Sequence, residues 1–302
     1  MRSQFFINKN KNSMLKSISI FALAILIMSC GEENSKTEKS ITDTYALVDS
    51  LLYFRNNKIK TDILSRKFPD LGREKAIAFQ LACLKKELAG GAILAGWKMG
   101  GTVGDSTSFD PIMGYMLKAN QYFSGDKIAI KAFPENETMI EGEVGFVFKQ
   151  DFPEGVASIE ELKDGIDYAI GAVEFAQSNA IGINNDPETV KINHVLAFGT
   201  GQAGFMLGNK KIDFAEFDVE NEAVECFVDG ELAASGVSSR IHRGHLNALN
   251  ALVNMLPKYG YMIKKGDVVI TGSLYANPTV KGAAKANLQF SSLGEIDMEI
   301  FN

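Results

Sequence analysis

The spacing of apolar residues divides the chain into a helical front part and a strand-rich remainder. Residues 41–58 and 72–89 carry apolar side chains at helical spacing, and in the second segment Ile77, Leu81 and Leu84 fall on one face. Charged residues concentrate near the ends of this second segment. The pattern therefore predicts two helices before residue 90.

After a double glycine at residues 90–91, short apolar runs alternate with Gly, Asp and Asn, which indicates strands joined by turns. Two further helices are predicted. One begins at Ser158, where Glu161 completes a capping box, and the other runs from Leu246 to Leu256, where Pro257 should end it. The predicted strands are Ala92–Met99, Lys127–Ala132, Gly142–Lys149, Ala169–Ala176, Gly204–Leu207, Ala223–Val228, Val268–Thr271 and Ala286–Phe290. The predicted fold class is α+β.

The first 29 residues have the pattern of a secretory signal. Lys16 precedes the apolar run Ile18–Met28, and the small residue Ser29 follows it. The run is too short to span a bilayer comfortably as a permanent anchor. We therefore expect residues 1–29 to be a signal peptide that directs export.

The end of this signal, Leu26-Ile27-Met28-Ser29-Cys30, resembles a bacterial lipoprotein lipobox. The resemblance implies that Cys30 becomes the lipidated first residue of the mature chain. The polar stretch that follows predicts a flexible tether over residues 30–42. We expect an exported lipoprotein, anchored to a membrane in the periplasm or at the cell surface. A plain signal beside an incidental cysteine is the alternative.

Composition narrows the class of protein further. The 302 residues are 46% hydrophobic and 23% charged, which is ordinary for a globular protein. The formal net charge is −6, and no basic block follows residue 30, which argues against a nucleic-acid partner. Cys83 and Cys226 fall in apolar patterns and are expected to pack as small hydrophobic residues. A disulfide between them is the alternative.

Two acidic residues share one face of a predicted strand. Glu141 and Glu143 lie in the run Ile140–Phe148, and the two-residue period of a strand points both to the same side. Carboxylates this close repel each other, so the pKa of one should rise unless a cation lies between them. Such oxygen ligands suit Mg²⁺, Mn²⁺ or Ca²⁺. A solvated strand face is the alternative that the spacing leaves open.

Glu174 and Lys98 are charged residues inside otherwise apolar strand patterns. A buried acid is costly without a partner, so Glu174 would complete a metal site if the fold brings the strands together. Lys98 would hold a carboxylate substrate or act as an acid or base. The alternatives are an exposed-face glutamate and a lysine whose head reaches water at the strand end.

Two histidines, His242 and His245, precede a predicted helix. They would either contact an anionic substrate or help to position the start of that helix. No Ser/His/Asp order, GxSxG elbow, phosphate-binding glycine loop or Cys/His zinc pattern occurs in the sequence. The acidic residues and the lysine are therefore the main candidates for chemistry.

Several segments together resemble one family. They are Trp97–Gly100, Asp110–Gly114, Ile140–Phe148, Val173–Phe175, Gly244–Leu249 and Lys265–Leu274. In their order and spacing they resemble the 2-keto-4-pentenoate hydratases (2-oxopent-4-enoate hydratases) of the fumarylacetoacetate hydrolase superfamily. The resemblance covers about residues 72–302 and implies a mixed β-roll with N-terminal helices. It divides the mature chain into a helical segment, 43–90, and a catalytic β-roll domain, 91–302.

The resemblance also implies an activity. Glu141, Glu143 and Glu174 would hold Mg²⁺ or Mn²⁺, which would polarise a bound 2-oxo acid. Lys98 would be the catalytic lysine that assists proton transfer or binds substrate. The expected reaction adds water to a small unsaturated 2-oxo acid such as 2-hydroxypenta-2,4-dienoate and gives a 4-hydroxy-2-oxo acid. The expected class is therefore a metal-dependent hydro-lyase.

Further residues and partners follow from the same resemblance. It places Gly114, His245 and Ser273 against the substrate. The expected partners are a small 2-oxo acid, a membrane through the lipid on Cys30, and further copies of the chain in a homo-oligomer.

Three stretches depart from the family pattern. Ile112 stands where many of these hydratases have an acid, Gln177–Asn179 replaces Asp-Ser-Arg, and Asn193–Gly199 replaces a more polar stretch. These changes remove polar groups around the substrate and leave the three metal glutamates in place. The alternatives are decarboxylation of a related oxo diacid, C–C hydrolysis of a β-diketo acid, or metal or oxo-acid binding without turnover.

Overall fold

The computed structural model describes residues 47–104, 111–177, 181 and 187–302. The predicted signal peptide (1–29), the lipidation residue Cys30 and the predicted tether (30–42) lie outside the described residues, so these assignments stay predictions. Residues Leu47–Asn302 belong to one compact unit. Among the described helices, none has the length and apolar character needed to cross a membrane.

The helices agree with the pattern at the front of the chain and add two that it did not predict, α2 and α5. The described part of α1 covers residues 47–56. The others are α2 (Leu64–Lys67), α3 (Arg73–Ala89), α4 (Ile159–Gly165), α5 (Glu188–Ala197) and α6 (His245–Met255).

The strands fall into two mixed sheets. They are β1 (Leu94–Gly100), β2 (Ile112–Leu117), β3 (Gln121–Phe123), β4 (Lys127–Ala129), β5 (Glu137–Phe148), β6 (Ile166–Ala176), β7 (Gln202–Asp213), β8 (Ala223–Val228), β9 (Glu231–Val237), β10 (Val268–Ile270), β11 (Thr279–Lys281), β12 (Ala284–Phe290) and β13 (Gly294–Phe301).

The larger sheet has the order β2-β1-β10-β5-β6-β7-β3, with β11 paired to β5 beyond this path. The smaller one has the order β4-β13-β12-β8-β9. Strand β1 is parallel to β10, while β5 is antiparallel to β10, β6 and β11. The predicted α+β class and mixed β-roll are confirmed, and β5 and β6 lie at the centre of the larger sheet.

Some predicted boundaries were wrong. The predicted strand Lys127–Ala132 ends at Ala129, because residues Ile130–Ala132 form a 3₁₀ turn. Strand β5 begins at Glu137, five residues before the predicted start, and only its later part is a continuous apolar run. Strands β2, β3, β9, β11 and β13 were not predicted. Of these, β13 alternates buried and exposed residues with the period expected of a strand.

The predicted start of α4 and the predicted end of α6 agree with the structure to within one residue. The Glu161 amide donates to Ser158 Oγ at 3.1 Å, which confirms the cap of α4. Helix α6 ends at Met255, and a 3₁₀ turn that contains Pro257 follows it. Proline at this point cannot continue the hydrogen-bond ladder of a helix.

One buried amide on α3 joins this helix both to β2 and to α5. Gln80 Nε2 on α3 donates to the carbonyl of Met113 at 3.0 Å and to that of Leu196 at 2.6 Å. Two cysteines, Cys83 and Cys226, are buried free thiols, as expected of small apolar residues. The subdivision at residue 90 stays a prediction.

Candidate active site

Three glutamates meet on one face of β5 and β6. Glu141 lies directly opposite Glu174 in the antiparallel register, and Glu143 is one side-chain step further along β5 on the same face. One carboxylate oxygen of each residue lies within 4.8 Å of those of the other two. The predicted common face of Glu141 and Glu143 is thus confirmed, and the fold brings Glu174 to it.

The three carboxylates are shielded from water to different degrees. Glu143 and Glu174 are fully buried, whereas Glu141 is partly exposed. The Gly272 amide donates to Glu143 Oε2 at 2.7 Å, and Asn277 Nδ2 donates to Glu141 Oε1 at 2.7 Å. The solvated-face alternative is therefore wrong for Glu143 and Glu174.

Lys98 extends from β1 into the same cluster. Its Nζ lies 2.5 Å from Glu174 Oε1, and both side chains are almost completely buried. The ammonium therefore does not reach water at the strand end. Strands β10 and β5 lie between β1 and β6, so a long side chain is needed for Lys98 to reach Glu174.

Burial raises the pKa of all three carboxyl groups, and repulsion between carboxylates adds to the shift at Glu141 and Glu143. Burial, followed by the charge of Glu174, raises the pKa of Glu141 to about 7. Burial and the two neighbouring carboxylates raise the pKa of Glu143 well above its usual value. Burial also raises the pKa of Glu174, although Lys98 opposes the shift. These shifts make the carboxyl groups hold protons to a higher pH than usual, and a bound cation would displace any proton that they hold.

The same cluster keeps Lys98 charged. Burial alone would lower its pKa, yet the attraction of Glu174, Glu141 and Glu143 raises the pKa above its usual value. Lys98 is therefore an ammonium donor in the metal-free protein.

The cluster fits a divalent cation that binds oxygen. Glu143 Oε1 and Glu174 Oε2 are buried and have no hydrogen-bond partner among the described residues. Unpartnered carboxylate oxygens are costly inside a protein, and a hard divalent cation would satisfy both. Glu141, Glu143 and Glu174 are thus the residues that would hold a metal.

Two backbone segments shape this cluster. Gly272 adopts φ +116, and a Cβ built there would lie 2.1 Å from Thr102 Oγ1, so only glycine brings this amide to Glu143. Thr102 Oγ1 in turn donates to the Thr271 carbonyl at 2.8 Å. Gly272 lies within the segment Lys265–Leu274 that resembles the hydratases, whereas no sequence signal marked Thr102.

Gly114 packs against Lys98 and has no side chain with which to contact a substrate. It lies on β2 opposite Lys98, where an added Cβ would meet Lys98 Cγ at 3.0 Å and the Gly199 carbonyl oxygen at 2.8 Å. Its lack of a side chain makes room for the stem of Lys98. Its predicted contact with substrate stays a prediction.

His245 and Ser273 are held by internal hydrogen bonds. His245 Nδ1 lies 2.7 Å from Thr271 Oγ1 and its Nε2 lies 3.1 Å from Ser238 Oγ. Burial lowers the pKa of His245 to about 4, so the ring is neutral. Ser273 Oγ donates to the Tyr275 carbonyl at 3.1 Å. Both side chains hold the strand end that carries Gly272, and their substrate contacts stay predictions.

Asn277 is a site residue that sequence reasoning missed. Its amide nitrogen binds Glu141, while its Oδ1 is buried without a partner among the described residues. An asparagine in a turn carries no special signal, since asparagine is common in turns. Only the pairing of β11 with β5 brings this turn to the carboxylates.

The departures from the family pattern occupy distinct places. Ile112 is buried on β2 beside Gly100, so the position of the missing acid is filled by an apolar side chain. Gln177 follows β6 directly and is also buried. Residues 178 and 179 lie outside the described residues. Asn193–Gly199 spans the end of α5 and the turn after it.

The chain is similar in sequence to several hydratases. A 2-hydroxyhexa-2,4-dienoate hydratase of Comamonas testosteroni is 27% identical over 225 residues, 73% of this chain and 83% of that one. A 2-oxo-hept-4-ene-1,7-dioate hydratase of Escherichia coli is 23% identical over 77% of this chain and 88% of that one. A 2-keto-4-pentenoate hydratase of Burkholderia vietnamiensis is 23% identical over 62% and 68%. No family model matches the chain.

Solved structures share its fold. The 4-oxalocrotonate decarboxylase from Pseudomonas putida G7, complexed with magnesium and adipate, superposes with a TM-score of 0.78 at 21% identity, over 86% of this chain and 98% of that one. A fumarylacetoacetate hydrolase from Exiguobacterium antarcticum gives a TM-score of 0.55 at 16% identity, over 69% and 77%. At these identities the likeness concerns the fold alone.

Proposed function

We propose that this chain is a metal-dependent hydratase. It is similar in sequence to the 2-keto-4-pentenoate hydratases and related hydratases, and it has the fold of the fumarylacetoacetate hydrolase superfamily. Its substrate would be a small unsaturated 2-oxo acid such as 2-hydroxypenta-2,4-dienoate. The cation would be Mg²⁺ or Mn²⁺, held by Glu141, Glu143 and Glu174.

One observation carries this proposal. A buried ammonium, Lys98 Nζ, lies 2.5 Å from a cluster of three carboxylates that has two unpartnered buried oxygens. A site made only for stability would avoid burying this much like charge. When bound, a divalent cation supplies Lewis acidity toward the carboxylate and keto oxygens of a 2-oxo acid.

The residues of the chain supply the proton chemistry. Lys98 is charged because three carboxylates surround it, so it can donate a hydrogen bond or a proton to an oxygen of the substrate. Asn277 orients Glu141, and the Gly272 amide orients Glu143. The strands fix these positions before a substrate arrives, which reduces the reorganisation that the reaction requires.

An ultraviolet assay of the purified full chain tests the activity. With Mg²⁺ or Mn²⁺, we expect loss of 2-hydroxypenta-2,4-dienoate and formation of 4-hydroxy-2-oxopentanoate. A chelator should stop the reaction, and added metal should restore it. No decay with metal still bound would contradict the hydratase proposal and favour another oxo acid or binding without turnover.

We also propose that the protein is exported and anchored through a lipid on Cys30, because Leu26–Cys30 resembles a lipobox. Labelling of cells with a radioactive fatty acid should mark the wild-type protein and leave Cys30→Ala unmarked. The wild type should sediment with membranes. An unlabelled wild-type protein in the soluble fraction would contradict the proposal.

A further inference from the structure

A strained turn joins α5 to β7. Its residues Gly199, Thr200 and Gly201 all have a left-handed backbone, with φ values of 78, 63 and 73. Glycine adopts this conformation at little cost, whereas a β-branched residue such as threonine rarely does. Residues held in such conformations cluster at functional sites, where the surrounding structure keeps them in place. The strain at Thr200 therefore points to a function for its side chain.

Hydrogen bonds hold this turn to three neighbouring elements. The Thr200 amide donates to the Val195 carbonyl of α5 at 2.8 Å. The Gly201 carbonyl accepts from the Gln177 amide, just beyond β6, at 2.8 Å. Thr200 Oγ1 donates to the Met113 carbonyl of β2. These bonds fix both the backbone and the side chain of Thr200.

The buried side chain of Thr200 packs over two glycines beside Lys98. A Cβ added at Gly114 would lie 3.0 Å from Thr200 Cβ and 3.0 Å from Lys98 Cγ. A Cβ added at Gly100, on the same face of β1 as Lys98, would lie 3.3 Å from Thr200 Cγ2. The threonine and the stem of the lysine therefore border the same small space, which Gly114 leaves open.

The turn itself is supported by a largely buried ion pair. Arg55 Nη1 would lie 3.7 Å from a Cβ added at Gly199, and Arg55 Nη2 lies 2.5 Å from Glu87 Oε1. The Gly199 carbonyl oxygen borders the space over Gly114 as well, 2.8 Å from the added Cβ. A free lysine stem has several rotamers, and a fixed wall of this kind reduces their number.

We infer that Thr200 is a positioning residue for Lys98. Its side chain limits the rotamers of the lysine stem and so keeps Nζ beside Glu174 in the carboxylate cluster. The inference rests on the proposed function, in which Lys98 gives a hydrogen bond or a proton to the substrate. A donor that is already in place needs no rearrangement during the reaction, and the strained threonine maintains that arrangement.

A truncation series at Thr200 in the full chain tests the effect on turnover. Thr200→Ser removes Cγ2, Thr200→Ala also removes the hydroxyl, and Thr200→Gly removes the whole side chain and the strain. The Met113 carbonyl still accepts from Gln80 in each variant. We expect kcat to fall along the series, by roughly tenfold or more for Thr200→Gly, with KM and Mn²⁺ affinity almost unchanged. Wild-type kcat in all three variants would overturn the inference.

Hydrogen exchange of the Lys98 ammonium measures the positioning without turnover. In metal-free protein labelled with ¹⁵N at the lysine Nζ atoms, NMR detects a buried, paired ammonium because its hydrogens exchange slowly. Lys98→Ala assigns the signal. Exchange should become faster from Thr200→Ser through Thr200→Ala to Thr200→Gly, since a looser stem opens the ion pair with Glu174 more often. Equal exchange rates in the wild type and Thr200→Gly would overturn the inference.

Asp229→Gly is the matched control. Asp229 also has a left-handed backbone, with φ 52, but it lies in the turn between β8 and β9 of the smaller sheet. This variant should keep the wild-type kcat and Lys98 exchange rate, and changes as large as those of Thr200→Gly would overturn the local role of Thr200. Absence of turnover in the wild type would contradict the proposed function, and the exchange series alone would then decide the inference.

Discussion

At the scale of single residues, the chemistry depends on carboxylates that repel one another. Glu143 is fully buried and contacts the Gly272 amide through only one of its oxygens. Glu143→Gln keeps an acceptor for that amide and removes a carboxyl group that is costly to ionise where it is buried. We expect Mn²⁺ binding, measured by electron paramagnetic resonance, to be lost. The metal-free variant should be at least as stable as the wild type. Tight Mn²⁺ binding by Glu143→Gln would contradict the metal site.

Lys98 is the residue whose removal should separate binding from catalysis. Lys98→Ala should retain the metal, because none of the three glutamates changes, but kcat should fall by roughly 10²–10⁴-fold. Lys285→Ala, an exposed lysine on β12, is the control. Parallel Mn²⁺ titrations and ultraviolet assays distinguish the two effects. Normal turnover by Lys98→Ala would remove this lysine from the mechanism.

The pH dependence of metal binding follows from the raised pKa values. Glu141, whose pKa is about 7, binds a proton in the metal-free folded protein at pH 6 and must release it to bind a cation. Metal affinity should therefore increase as the pH rises from 6 through 7. Calorimetry at pH 6.5 in buffers of different ionisation enthalpy should detect proton release. A binding enthalpy independent of the buffer would contradict this coupling.

At the scale of elements, strand pairing positions the lysine. Gly114 on β2 leaves the space that the Lys98 stem occupies on β1, and an added Cβ would come within 3.0 Å of Lys98 Cγ. Gly114→Ala should therefore lower kcat by roughly tenfold, an effect equivalent to about 1.4 kcal/mol, and retain metal binding. Gly72→Ala, where an added Cβ meets nothing within 4 Å, is the control. Equal activity of the two variants would show that this packing does not hold the lysine.

At the scale of the whole molecule, metal binding should stabilise the fold, because the ligands lie on the two central strands of the larger sheet. At pH 7.5, Mg²⁺ at 100 times its Kd should raise the free energy of unfolding by about 2.7 kcal/mol. Differential scanning calorimetry measures the shift in Tm. Glu143→Gln should show no shift, and an equal shift in that variant would place the stabilising cation elsewhere.

Local sequence determined the strands that carry the site and the common face of two ligands. The two-residue period of β5 is a property of any extended chain. It therefore places Glu141 and Glu143 on the same side of the strand, whichever strands pair with β5. The apolar neighbours of Glu174 and Lys98 likewise indicated burial, since acids and lysines in such runs need partners. The α+β class and the resemblance to the hydratases also came from the sequence.

Only the tertiary structure decided which residues meet. The distance between Lys98 and Glu174 depends on the order β1-β10-β5-β6, a set of long-range pairings that no local pattern encodes. Asn277 reaches Glu141 only because β11 pairs with β5. A local pattern sets the direction of a side chain relative to its own strand, whereas its neighbours are set by how distant strands pair.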